Sequence, residues 1–298
     1  MKKIFISALL LTAGLLSSAQ VVTVKSCTKV NLPQGTFAES PVISPDGKSV
    51  AFQHGSALEC VDLTTGKTVK LTDNGLGYNL TFTEDGSKVI FRQRTVNKNG
   101  LSYTALKSVS ANGGNETVLV KPSRNLEGVS VSGTDVIAIE KKKAHKKNLG
   151  TLKGASRPAV SIEKGHLNVT VNGKTTTIDP QGRGSYLWPQ VSPDGKKIVY
   201  FLVHKGCFVC NIDGSNPVSL KELRAANWLD NNTVIGMLDR DNGEFVTSSA
   251  LVAKTLDGKA QTITPDSMIA MYPSANADGS KVAFVSAKGE LFILELVK

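Results

Sequence analysis

Four histidines, four cysteines and one dense run of lysines are the residues in this chain best suited to chemistry. His54, His145, His166 and His204 stand far apart, and none shows the His-x-His or His-Glu-x-x-His spacing that sets two ring nitrogens on one metal. No Gly-x-Ser-x-Gly elbow is present to raise a serine nucleophile. Cys207-Phe208-Val209-Cys210 has redox spacing, but a reactive thiolate needs the N-terminus of a helix. The residues around it read as a strand, where side chains three apart point to opposite faces. Buried free thiols, or a Cys27–Cys60 bridge, are the alternatives, and the sequence leaves both open. Asp239-Arg240-Asp241-Asn242-Gly243-Glu244 approaches a calcium loop but lacks its full spacing, so a polar hairpin turn fits better. On these grounds no catalytic residue, metal site or cofactor is assigned.

Charge is the second signal. The chain carries a formal net charge of +10 over 298 residues. Much of it is local: Lys141, Lys142, Lys143, Lys146, Lys147, Lys153 and Arg157 fall in one tract with no acidic residue. Such a tract attracts polyanions, whether anionic glycans, lipid headgroups or an acidic protein, or it is simply a solvated insertion. No aromatic residues interleave to stack bases, so nucleic acid is not the expected partner.

The elements that must carry these residues come from a repeat. Ser44-Pro45-Asp46-Gly47-Lys48 leads into Val50-Ala51-Phe52. Thr83-Glu84-Asp85-Gly86-Ser87-Lys88 leads into Val89-Ile90-Phe91. Ser192-Pro193-Asp194-Gly195-Lys196 leads into Ile198-Val199-Tyr200, and Asn276-Ala277-Asp278-Gly279-Ser280-Lys281 into Val282-Ala283-Phe284. Proline presets the first corner, aspartate bonds its own backbone, and glycine supplies the positive φ that lets the chain reverse. Weaker copies at Ser132-Gly133-Thr134-Asp135 and Asp230-Asn231-Asn232 fill the gaps. From Gly47 through Gly86, Gly133, Gly195 and Asn231 to Gly279, the steps are 39, 47, 62, 36 and 48 residues. A four-stranded propeller blade takes about 40–45 residues. Six repeats predict an all-β, six-bladed propeller.

The Ser-Pro-Asp-Gly-Lys-x-x-Ala/Val-Phe/Tyr signature resembles the WD40-like PD40 repeat of TolB-type six-bladed propellers. The resemblance covers nearly the whole chain after its first residues. It is specific for fold and poor for function, because the motif is a structural turn. TolB itself carries an α/β domain before its propeller, and here the first repeat starts within about 40 residues of Met1. The chain is therefore TolB-like and not TolB. The resemblance implies a periplasmic, non-enzymatic module that takes an extended peptide of an envelope protein into the channel mouth. Some TolB-type propellers are metal-dependent lyases, so a lyase or hydrolase acting on an acidic carbohydrate is the competing expectation.

Residues 1–19 read as a secretory signal peptide: Lys2 and Lys3, an apolar stretch from Ile4 to Leu16, then Ser17-Ser18-Ala19 before cleavage. No other stretch is long and apolar enough to span a membrane. An exported, monomeric single domain over residues 20–298 is expected, with blade three interrupted by a basic loop over about 141–160. Blade six has only three strands before Lys298. Val21 to Leu32 has no blade of its own, so it is expected to supply the fourth strand and close the ring. A helical turn could form at Lys221-Glu222-Leu223-Arg224. Aligning the repeats puts Glu39, Ser40, Tyr78, Asn79, Glu127, Trp188, Met271 and Tyr272 on the channel rim, with Ala226 as a less certain member. Trp188 and Tyr272 are equivalent, each just before a proline. Large aromatics on a polar rim suit a peptide or glycan site, and they equally suit packing between blades.

Overall fold

The repeated Asp-Gly turns build the fold locally as their residue types require. The structure, a computed structural model, describes residues 20–72, 77–153 and 157–297, the side chain of Glu127 excepted. The expected leader, residues 1–19, lies outside them. In the first turn the Ser44 hydroxyl donates to Asp46 at 2.6 Å, and the same carboxylate accepts the Lys48 amide at 3.1 Å. Thr83 and Ser192 repeat this with Asp85 and Asp194, each at 2.6 Å. Gly47, Gly86, Gly195 and Gly279 all take φ between 65° and 74°. The turns also join neighbouring repeats: Lys281 Nζ donates to the Gly47 carbonyl, and Lys197 Nζ to that of Asn231, both at 3.2 Å.

In chain order the strands are β1 (Thr23–Lys29), β2 (Glu39–Ile43), β3 (Ser49–His54), β4 (Ala57–Asp62) and β5 (Thr68–Lys70). Then come β6 (Gly77–Phe82), β7 (Lys88–Val96), β8 (Ser102–Ser110), β9 (Thr117–Ser123), β10 (Leu126–Glu140) and β11 (Lys143–Lys153). Next are β12 (Ala159–Glu163), β13 (His166–Val171), β14 (Lys174–Thr177), β15 (Tyr186–Val191), β16 (Lys197–Leu202), β17 (Gly206–Asn211) and β18 (Val218–Lys221). The chain ends with β19 (Arg224–Trp228), β20 (Thr233–Asp241), β21 (Val246–Thr255), β22 (Ala260–Thr262), β23 (Met271–Ala275), β24 (Lys281–Val285) and β25 (Leu291–Val297).

These strands form a six-bladed β-propeller. Blades one, two, four and five are the antiparallel sheets β2–β5, β6–β9, β15–β18 and β19–β22. Blade six has the order β1-β25-β24-β23, with Thr23 opposite Val297 and Lys29 opposite Phe292. Ahead of β1, the Val21 and Val22 amides both donate to Gln261 Oε1, at 2.7 and 2.9 Å. The second strand of a blade is buried on both faces, which is why Val50-Ala51-Phe52 and Val89-Ile90-Phe91 are unbroken apolar runs. Apolar clusters lie between adjacent sheets, such as Phe52 and Val61 with Val285 and Ile293, or Leu58 and Cys60 with Phe82 and Phe91.

Blade three differs from its expected form. The basic tract is mostly strand, not loop: Lys143–Lys153 is β11, paired with β10 from Glu140↔Lys143 to Gly133↔Lys153. Apolar burial explains this, because Val136, Ala138 and Ile139 of β10 are buried and need a partner strand. Lysine on an exposed outer strand is also a natural guard against edge-to-edge pairing. A three-stranded sheet, β12-β13-β14, completes the blade. Gly128 lets β10 approach it: a Cβ there would lie 2.6 Å from Ser161 Cβ and 2.8 Å from the Val160 carbonyl oxygen. The helical turn among the described residues is a 3₁₀ turn at Asp266–Met268, while Lys221 ends one strand and Arg224 starts the next.

Candidate functional site

The rim is made by one backbone device used five times. Each inner strand pairs its first one or two residues with the second strand, then skips two before pairing resumes. The breaks fall between Glu39 and Val42, Tyr78 and Thr81, Leu187 and Gln190, Arg224 and Asn227, and Met271 and Ser274. The first skipped residue is left-handed each time: Ser40 (φ 47°), Asn79 (50°), Trp188 (48°), Ala225 (47°) and Tyr272 (53°). None is glycine, and a side chain in that region costs on the order of 1 kcal/mol. Proline follows in three of them, Pro41, Pro189 and Pro273, where the missing N–H has no ladder bond to lose. Such bulges re-aim side chains at sheet ends.

The bulges set the rim side chains apart by role. Ser40, Asn79 and Glu39 are exposed. Trp188 is 41% exposed and Tyr272 39%, so neither ring is core. Trp188 also leans on Phe201, with ring centroids 5.8 Å apart and planes at 56°. Tyr78 is half-buried, its hydroxyl 3.3 Å from Thr104 Oγ1. Met271 is half-buried between two apolar clusters, so of the proposed rim residues it is the one most committed to packing. Glu127 falls in β10, and its side chain lies outside the described residues. In blade five the equivalent pair is Arg224 and Ala225, not Ala226, which is buried. Repeat alignment missed Arg224 because its place on the rim depends on where the β19–β20 ladder breaks. The Arg224 guanidinium sits 6.0 Å from the Phe201 ring centroid and donates to Asp239 Oδ2 at 2.8 Å. Trp188, Phe201 and Arg224 thus form one continuous patch across blades four and five.

The basic hairpin opens on the same face. The Lys141 amide donates to the Asn125 carbonyl at 3.4 Å, which sets the hairpin tip beside the loop that enters blade three. Lys141 and Lys142 form the turn. Lys146 pairs with Asp135 at 2.7 Å and Lys142 with Glu163 at 3.7 Å, while Lys143 and Lys147 are exposed along β11.

The remaining sequence candidates are spread out. His54 sits 3.1 Å from Glu59, His145 3.7 Å from Glu140, and His166 contacts Asp179; these pairs occupy separate hairpins. Among the described residues no group of three or more His, Cys, Asp or Glu is placed to hold a metal ion. The calcium-like run closes a hairpin: Asp241 Oδ1 accepts the Gly243 amide, and Asn242 Oδ1 accepts those of Glu244 and Phe245. All four cysteines are free thiols. Cys207 packs toward blade five and Cys210 toward blade three, on opposite faces of β17. Burial pushes both up to about 12, with the Asp213 charge adding to the effect at Cys210, so neither is a thiolate at neutral pH.

A scan against protein-family models finds no match, and a search of curated proteins finds none either. Solved structures do match in fold. An oligogalacturonate lyase in complex with manganese aligns with TM-score 0.51 at 14% identity, over 91% of this chain and 80% of that one. A protein described as TolB from Agrobacterium tumefaciens aligns with TM-score 0.52 at 15% identity, over 88% and 91%. The β-propeller domain of Cps50 (Swd1) from Myceliophteria thermophila aligns with TM-score 0.61 at 9% identity, over 93% and 100%. At these identities the likeness is one of fold: that of TolB-like and WD40 propellers.

Proposed function

We propose that this chain is an exported, non-enzymatic binding module that engages a peptide or envelope protein at the mouth of its propeller channel. The observation that carries this reading is the pair of part-exposed aromatics, Trp188 and Tyr272, at equivalent left-handed bulge positions on one rim. A ring held outward by a strained backbone is not satisfying the core, and strain of this kind concentrates where ligands bind. Aromatic anchors on a concave rim are the usual hot spots of peptide recognition. Export, to the periplasm or beyond the cell, rests on the leader-like residues 1–19.

The test is a pull-down from envelope extract with the wild type and a Trp188→Ala/Tyr272→Ala variant. Partner capture is expected to vanish in the variant while its melting temperature stays within a few degrees. Unchanged capture would refute the rim reading. The lyase or hydrolase alternative draws on the exposed cations beside the rim, which suit an acidic carbohydrate. Stoichiometric Mn²⁺, Ca²⁺ or Zn²⁺ in the purified protein, with turnover of oligogalacturonate, would favour it instead. The histidines offer that reading no shared metal site, since each lies in a different hairpin.

A further inference from the structure

The fold collects onto one arc of the rim face cations that lie far apart in sequence. Lys98 is in the turn joining β7 and β8, and Arg124 is in the link that enters β10. Lys141 bonds the carbonyl next to Arg124. Lys142 reaches Glu163 at the end of β12. Lys164 follows, and its carbonyl accepts Arg183 Nε at 3.0 Å. The Gly184 amide closes the contact on Gly165 at 2.9 Å, just before the strand that carries Trp188. Arg124, Lys141, Lys164 and Arg183 are all exposed. The acids nearby are engaged: Glu140 accepts the Ser123 hydroxyl, Glu163 faces Lys142, and Asp179 faces His166. Lys98, Arg124, Lys141, Lys142, Lys164 and Arg183 outnumber Glu127, Glu140, Glu163 and Asp179 by six to four, so the arc presents net positive charge that ends at the Trp188 patch.

Beyond that patch the sign changes. The β20–β21 hairpin of blade five carries exposed Asp241 and Glu244 beside Phe245, which is 65% exposed; exposed Arg240 offsets one of these charges, so the hairpin end is acidic by a single charge. Cationic surface on one side of the aromatics and acidic surface on the other make an oriented field across the channel mouth. A flat anionic membrane would press against Asp241 and Glu244. A uniform polyanion would meet the same repulsion on crossing the rim.

We infer that the partner segment is a peptide that is acidic on one side of a large apolar anchor, bound with its acidic side over blades three and four. This rests on the reading of the rim as a peptide site and adds the partner's charge and orientation. Complementary charge of this kind acts through both association rate and selectivity.

The test uses three fluorescein-labelled synthetic peptides that share a Leu-Trp-Leu anchor, preceded by four glutamates, four lysines or four serines. Anisotropy titrations would compare the wild type with an Arg124→Glu/Lys141→Glu/Arg183→Glu variant and with Trp188→Ala/Tyr272→Ala. All three reversed positions are exposed loop residues, and circular dichroism would check the fold. The wild type is expected to bind the glutamate peptide about tenfold or more tighter than the serine peptide at low salt, the gap closing as salt rises. The reversed variant is expected to lose that gap and prefer the lysine peptide. Equal binding of glutamate and serine peptides, or an unaffected reversed variant, would overturn the charge assignment. If the aromatic double variant still lost the serine peptide, the rim reading itself would stand. No binding of any peptide would overturn both. Better displacement of the glutamate peptide by polygalacturonate or phosphatidylglycerol vesicles than by unlabelled peptide would overturn the choice of a peptide.

Discussion

Gln261 offers the sharpest test of how the two ends of the chain are joined. Its side-chain oxygen, on the outer strand of blade five, accepts the amides of both Val21 and Val22. Those residues lead into β1, the outer strand of blade six, and Val22 is buried among residues of both blades. Replacing Gln261 with leucine keeps the bulk and removes the acceptor. An unpaired buried amide costs about 1–3 kcal/mol, less where water can reach it, as it partly can at Val21. The expected loss for the pair is about 2–4 kcal/mol. At roughly 2–4 °C per kcal/mol for a chain of this size, the melting temperature should fall by about 4–16 °C. Gln261→Glu retains an oxygen that accepts both amides and should stay near wild type. The assay is urea unfolding followed by tryptophan fluorescence, with hydrogen exchange read on β25. Amides of β25 that face β1, at Ile293 and Glu295, should lose protection in Gln261→Leu and keep it in Gln261→Glu; the Leu296 amide, which donates to the Ser280 carbonyl on the other side, should change less. A leucine variant within about 0.5 kcal/mol of wild type, with β25 still protected, would refute the reasoning: the amino-terminal strand would then hold the sheet without this staple.

The turn carboxylates should give the fold an acid limit. Partial burial pushes Asp46, Asp85 and Asp194 up, but the Ser44, Thr83 and Ser192 hydroxyls and the next backbone amides outweigh it and hold all three below 3.8. A folded value below the unfolded one adds stability above about pH 4 that is lost as pH falls through the folded value. Thermal melts should therefore decline below about pH 4, and more gently in an Asp46→Asn/Asp85→Asn/Asp194→Asn variant; identical profiles would contradict this. Burial, with the Asp62 charge adding to it, pushes the Cys60 thiol to about 12, alongside Cys207 and Cys210. These three should resist a disulfide reagent at pH 8 until denaturant is added, and a thiol titration checks the count. Gly128→Ala would set a methyl 2.6 Å from Ser161 Cβ, so it should destabilise by about 1–3 kcal/mol in urea unfolding.

The residue sequence by itself determined the repeat and so the fold class. Ser44 to Lys48 and its copies specify a turn by local chemistry alone, because aspartate, hydroxyl and glycine act within five residues of one another. Each turn is followed by an apolar run wide enough for burial on both faces. The strand position of Cys207 and Cys210, and hence their separation onto opposite faces, was legible from the two-residue period. The basic tract was not legible as strand. Lysine-rich residues show no apolar alternation of their own, and what pairs them is the buried face of β10 across a turn. Arg224 was missed because its place on the rim depends on where a ladder breaks, which is set by the strand beside it. The cationic arc was out of reach for the same reason. Lys98, Arg124, Lys164 and Arg183 share no motif, and only closure of the blades into a ring brings their loops to one face. Local chemistry fixes turns and strands; which distant side chains share a surface is decided by packing, and the site belongs to that second level.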